Sequence, residues 1–236
     1  LLITIFCISL FGMQEVFAQT PSVWNGSSID TAWYHNHRDA TEFTIYTAAE
    51  FAGFAKLVNT YETFAGKTIY VGNGIDQVVI DLNNKTWSEI GTGYLGSEFQ
   101  GHFDGRNCIV KNLTVNPTAW KSYKGLFGYV TSTESSSAIV ENVNVEGRVI
   151  SNFSEVGGIV GNAKGTSVHR AIIRNCTFKG EVTSVSYSGG IVGDAEAYCD
   201  IIDCAAAGTI TSLESYAGGI AGRTVGGGDA STYNQI

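Results

Sequence analysis

Apolar and polar positions fall into a repeat between residues 125 and 222. Gly125-Leu126-Phe127-Gly128, Gly158-Ile159-Val160-Gly161, Gly190-Ile191-Val192-Gly193 and Gly219-Ile220-Ala221-Gly222 are variants of one unit, spaced 33, 32 and 29 residues apart. The last three carry an extra glycine in front, at Gly157, Gly189 and Gly218. A second pattern interleaves with the first. Aligning Asn112, Asn142, Asn175 and Asp203 puts Leu113, Val143, Cys176 and Cys204 next, and Val115, Val145, Phe178 and Ala206 two residues on. The last three units then share Gly147, Gly180 and Gly208, followed by Val149, Val182 and Ile210, then Ser151, Ser184 and Ser212. Apolar residues at period two predict strands with one buried face. Asn or Asp at the head of each suits a left-handed bend.

One such unit, about 30 residues long, cannot bury its inner face alone. Stacked coil on coil, like residues form ladders about 4.8 Å apart. The same alignment places Lys111, Glu141 and Arg174 in one outward column of alternating sign, which favours the register.

Upstream, Thr47-Ala48-Ala49-Glu50 has capping-box spacing, and Phe51, Phe54, Ala55, Leu57 and Val58 recur at helical spacing up to Asn59. We expect this helix to cover the open first coil. Residues 67–116 read as irregular early coils, with strands near Thr68–Val71, Val78–Leu82 and Ile109–Val115. Leu1–Gly12 is an apolar run too short to span a bilayer, and Val16 and Ala18 fit a signal-peptidase site. Cleavage is expected after Ala18. Cys7 in that run lacks the context of a lipoprotein signal. Both ends are expected to be truncated, the first for want of an initiator Met, the last for want of a cap after Tyr233–Ile236.

These repeats resemble the GLUG motif of bacterial surface proteins. The upstream part is similar to the leader region of such proteins through Trp24-Asn25-Gly26, Asp30–Tyr34, the Thr47–Asn59 helix, Lys67-Thr68-Ile69 and Phe99–Gly105. The resemblance implies a secreted or surface-exposed protein of pectin-lyase-like architecture, adhesin-like in character. The motif also occurs in non-catalytic stretches of surface zinc peptidases that cleave immunoglobulin A. Those enzymes need a His-Glu-x-x-His helix, which this sequence lacks.

The expected fold is an all-β, right-handed parallel β-helix (β-solenoid) with an N-terminal capping α-helix. The expected layout is a signal peptide at 1–18, an N-terminal leader and cap at 19–66, and a β-solenoid with GLUG-type repeats at 67–236.

Composition narrows the function. Charged residues make up only 15%, and the net charge of −8 comes without a basic stripe, which excludes nucleic acid as a partner. The 29 glycines follow no Gly-X-Y period, which excludes collagen. The mature chain holds no transmembrane segment, and the partner class that remains is a host or cell-surface glycan or protein.

Candidate chemistry is thin. A glycosidase needs two carboxylates about 5–9.5 Å apart on one groove, yet Asp194 aligns with Asn162 and Arg223, and Glu141 with Lys111 and Arg174. Asp203 falls at the bend position near Asp200, and Asp76, Asp81, Glu98 and Asp104 lie in the irregular coils. His35 and His37 would share a strand face, but zinc needs three or four ligands, and His102 and His169 have no obvious partner. Asp229 alone makes no calcium repeat. Cys176 and Cys204 are expected to stack inward, as core residues or as an inter-coil bridge. The sequons at Asn25, Asn84, Asn112, Asn152 and Asn175 read as coincidence at bends. Trp24, Trp33, Tyr34, Trp87 and Trp120 either stack on sugar rings or pack the leader onto the helix. No catalytic, cofactor-binding or metal-ligating residue is assigned, and no cofactor is expected. Two functions follow: a non-catalytic adhesin-like scaffold, or an accessory region of a larger secreted peptidase or polysaccharide-degrading enzyme.

Overall fold

The computed structural model describes residues 20–94, 96–116 and 122–226. The expected signal peptide with Cys7, and Trp120, Asp229 and Tyr233–Ile236, lie outside the described residues. The chain begins with β1 (Ser22–Val23), α1 (Ala32–His35), β2 (Glu42–Ile45), α2 (Ala48–Val58), β3 (Thr68–Val71) and β4 (Val79–Asp81). The α2 helix starts at Thr47, whose hydroxyl accepts from the Glu50 amide at 3.2 Å while the Glu50 carboxylate accepts from the Thr47 amide at 2.8 Å. It ends at Asn59, whose side chain donates to the Glu89 carbonyl and accepts from the Gly91 amide. Its apolar face carries Phe51 and Phe54 into the open end of the solenoid. The Phe54 ring lies 5.4–6.2 Å from those of Phe64, Phe99, Phe103 and Phe127. A helix with its end groups satisfied thus plugs the aromatic end of the core.

The regular part follows as β5 (His102–Val115), β6 (Phe127–Thr131), β7 (Ile139–Ile150), β8 (Val156–Gly157), β9 (Val160–Lys164), β10 (Ala171–Arg174), β11 (Thr177–Ser184) and β12 (Ser188–Gly189). It continues with β13 (Val192–Ala195), β14 (Cys199–Ile202), β15 (Ala205–Ser212), β16 (Ala217–Gly218) and β17 (Ala221–Thr224). Each strand pairs in parallel with its counterpart one coil away. The fold is a parallel β-solenoid. The first face stacks the start of β5, the start of β7, β10 and β14. The second stacks the rest of β5 and β7 with β11 and β15, and the third stacks β6, β9, β13 and β17. Upstream, β2 pairs with β3 and β1 with β4, and both β3 and β4 pair with β5.

The predicted columns hold from the second repeat onward. Gly147, Gly180 and Gly208 are in register, as are Val149, Val182 and Ile210. Asn142, Asn175 and Asp203 turn the corner between faces one and two with φ of 51–55°, the left-handed bend that Asn and Asp tolerate best. The first repeat departs from the prediction. Arg106 and Asn107 both take positive φ, and the register slips between Asp104 and Cys108 and again between Val110 and Leu113. Cys108, not Leu113, therefore stands beside Val143, and Asp104, not Lys111, beside Glu141. Lys111 instead meets Asp81 at 3.4 Å. Asn112 has the expected left-handed backbone, but it marks a different bend.

The repeated glycines are explained by room rather than by dihedral freedom. None of the four GLUG-closing glycines has positive φ. A methyl at Gly193 would sit 2.3 Å from the Val156 amide nitrogen, one at Gly161 2.6 Å from the Lys124 nitrogen, and one at Gly222 2.6 Å from the Tyr187 carbonyl carbon. Here the chain crosses over the strand of the neighbouring coil at a distance no Cβ allows.

Candidate functional site

The first face gathers the largest set of charged side chains. Because of the slip in β5, Asp104 and Glu141 occupy like positions on neighbouring coils, with Arg174 on the next. Glu141 is buried. It accepts from Arg174 through Nε and meets His102 Nε2 at 2.5 Å. Burial works against its ionised form, but the hydrogen bonds from Arg174 and His102 outweigh that cost, and its pKa lies below the ordinary glutamate value. Asp104 accepts from the Asn142 amide at 2.9 Å and from the Arg106 backbone at 2.8 Å. The sequence alignment missed this carboxylate pair; the positive-φ insertion at Arg106-Asn107 hid it.

Two carboxylates on adjacent coils meet one requirement of a glycosidase, but Glu141 is buried and tied to Arg174 and His102. A general acid requires one pKa raised while its partner stays ionised. Glu141 is held as an anion by Arg174 and His102, and Asp104 accepts one hydrogen bond within its own strand and one from Asn142 on the next coil. Both link neighbouring coils, Glu141 through Arg174 and Asp104 through Asn142.

The remaining candidates are similarly engaged. Asp194 stands between Asn162 and Arg223, as the alignment predicted. It is fully buried and bound through both oxygens by Arg223, which also lies 4.3 Å over the Tyr187 ring. Asp200 accepts from Arg170 at 2.6 Å. Asp81 accepts from Asn112 at 2.7 Å and lies close to Lys111. Asp76 accepts from Asn73 in an exposed turn, Asp203 is the left-handed corner residue, and Glu98 is half-buried. His35 closes α1 and touches Arg38 at 3.0 Å, so His35 and His37 sit at a helix end and turn rather than on a strand. His169 is part of a turn with Thr166. Among the described residues no group of three or more His, Cys, Asp or Glu is placed to hold a metal ion.

The aromatic leader residues pack onto the cap. Trp24, Tyr34 and Trp87 are buried; the Trp87 ring stacks on Phe51 at 5.4 Å, and Trp33 stacks on Phe64 at 6.2 Å. The Tyr34 hydroxyl donates to Glu62, and its pKa is pushed up to about 12, first by burial and then by that carboxylate.

Two features escaped the sequence pattern. Lys124 and Glu89 form a buried ion pair at 2.8 Å, bridging an early coil to the first regular one. Tyr123, Glu155 and Tyr187 form a left-handed corner column (φ 65°, 63° and 56°). Their position two residues before Gly125, Gly157 and Gly189 would have revealed it.

An open surface remains on the second face. Two adjoining shallow hollows of about 320 and 360 Å³ lie along it and share Glu146. Asn84, Asn112 and Arg148 line the first; Asn144, Thr177 and Lys179 line the second. The outward ladder carries Glu146 beside Lys179 and Arg148 beside Glu181, the latter pair at 2.9 Å.

Comparison with known proteins agrees with this architecture. Residues 154–183 and 184–211 match the family described as "The GLUG motif". The chain is also similar to an immunoglobulin A1 protease of Streptococcus sanguinis, at 27% identity, with 79% of this chain and 12% of that protein covered. It thus spans about an eighth of that relative's length. No solved structure matches. The chain carries GLUG repeats wound into a β-solenoid.

Proposed function

We propose that this GLUG-repeat solenoid is a non-catalytic module of an exported protein, holding a polar contact face at a distance from whatever it is joined to. One observation carries the proposal: the buried carboxylates of the first and third faces, Glu141 and Asp194, are bound by arginines of their own columns, while the second face presents exposed polar groups, among them Glu146 and Lys179, over two adjoining hollows. Buried carboxylates tied to arginine in this way set coil register. Amides, hydroxyls and interspersed charges of both signs suit a glycan or a polar protein surface, as in an adhesin-like role.

A second reading is favoured by the similarity to one stretch of an immunoglobulin A1 protease. In it the solenoid is an accessory region of a larger secreted peptidase. The two are separated by binding and by context. Glycan-array and host-surface binding of the purified chain, with Asn144→Ala and Lys179→Ala as controls, tests the first; binding unchanged in both variants counts against the second face as the contact surface. Deleting residues 20–226 from the longest protein that contains them tests the other: a peptidase whose turnover of a short peptide persists, but whose action on an intact glycoprotein falls, fits an accessory role.

A further inference from the structure

The inner corner of the solenoid contains a column of Cys108, Val143, Cys176 and Cys204. Asn144 is in register with Thr177, and Thr177 with Ala205, so each column residue sits one strand spacing from the next. That spacing, about 4.8 Å between Cα atoms, falls inside the 4.4–6.8 Å range of disulfides. The two thiols share one orientation. Cys176 Sγ approaches the Arg174 carbonyl at 3.1 Å and Cys204 Sγ that of Ile202 at 3.3 Å, each two residues back, and Cys204 Sγ also approaches Ile173 of the preceding coil at 3.6 Å. Both are reduced in this structure. Cys108 is kept from them by Val143, and Cys199 stands in another column beside Ala171.

We propose that Cys176 and Cys204 are an oxidation site, joined by an inter-coil disulfide once the chain has folded in an oxidising compartment. The compartment rests on the export reading above; the pairing rests on the register alone. Access decides the order of events. Cys204 is partly exposed and Cys176 fully buried. The hydrogen bond between the two thiols acts in the same direction, lowering the pKa of Cys204 and raising that of Cys176.

The oxidant is an external disulfide, such as oxidised glutathione or the oxidised dithiol of an export-pathway oxidase. The Cys204 thiolate attacks one of its sulfurs and expels one thiolate, leaving a mixed disulfide. Cys176 then gives up its proton and attacks the Cys204 sulfur, expelling the second thiolate. Two S–H groups become one S–S bond, and the oxidant is reduced to two thiols that take the protons. The bond closes a loop of one coil, from residue 176 to residue 204, and so ties the coil of β14 and β15 to the one before it.

The test equilibrates the purified chain in an oxidising glutathione buffer, then unfolds, alkylates and maps it by mass spectrometry. The expected result is one linked peptide pair holding Cys176 and Cys204, with Cys108 and Cys199 alkylated. The unfolding midpoint of the oxidised chain should exceed that of the reduced chain by roughly 5–10 °C, a difference that vanishes in Cys204→Ser. Alkylation of every cysteine, or a link between any other pair, overturns the proposal. The same map on protein recovered from its producing cell separates the premises. A chain that links in glutathione but is reduced when recovered leaves the pairing standing and removes the export reading.

Discussion

The two ends of this molecule are stabilised by different means. Around α2 the interior is aromatic: Phe51, Phe54, Phe64, Phe99, Phe103 and Phe127 meet ring to ring, and Trp24, Trp33 and Trp87 close over them. From β7 onward the interior is mostly Val, Ile, Ala and Cys in columns, with glycine where chains cross and with buried carboxylates bound to arginine in the strand ladders. The first region packs like a small globular domain, each contact distinct. The second is nearly one-dimensional, each coil supported by its neighbours. Damage to the cap should therefore be lost in one cooperative step, and damage to a coil should stay near that coil.

Phe54→Ala should have the largest effect. Removing a ring that packs against five others should cost roughly 3–5 kcal/mol, seen in denaturant unfolding. Hydrogen exchange should lose protection over residues 42–71 before residues 177–212. Equal loss along the whole chain would erase the distinction between the two regions. Next comes Gly193→Val, whose Cβ would lie 2.3 Å from the Val156 nitrogen; roughly 2–4 kcal/mol is expected, with exchange rising in β8, β9 and β13 and tryptophan fluorescence unmoved. Gly219→Val, with no heavy atom within 4 Å of its Cβ position, should be near neutral and serves as its control. A large loss in the control would show that motif glycines matter for some reason other than room.

Arg223→Gln strands the buried Asp194 carboxylate. Because the arginine is about a third exposed (35%), we expect roughly 2 kcal/mol, below the cost of breaking a fully buried pair. Thr47→Ala removes the α2 cap and should cost about 1 kcal/mol, felt in the cap alone. The smallest effect is that of pH. The folded-state pKa values of Glu141 and Asp81 are depressed, so their contribution is complete above the usual carboxylate range and is lost as pH falls through the lower folded values. This contribution to stability should hold from neutral pH down to the usual carboxylate range and decline below it, and Glu141→Gln should flatten part of the decline.

Much of this was legible beforehand for a definite reason. The left-handed Asn142, Asn175 and Asp203 and the Thr47 capping box are dictated by local backbone needs, and Gly147, Gly180 and Gly208 recur because each coil leaves no room for a Cβ against the one before it, so their spacing survives in the sequence. The first repeat was misaligned because Asn112 is a true bend residue of the wrong corner, and two inserted positive-φ residues are invisible to a count of apolar positions. The charged column suffered for the same reason: Glu141 with Arg174 was readable, but Asp104 and His102 were not.

Sequence alone determined that the chain repeats, that its repeats are strands with one buried face, and that a capped helix precedes them, because period and backbone preference are local properties. Tertiary structure alone decided that Asp104 stands beside Glu141, that the leader tryptophans pack against the core, and that Lys124 is buried against Glu89. Those facts depend on how one coil is set upon another, and a single shifted bulge changes all of them without altering any residue.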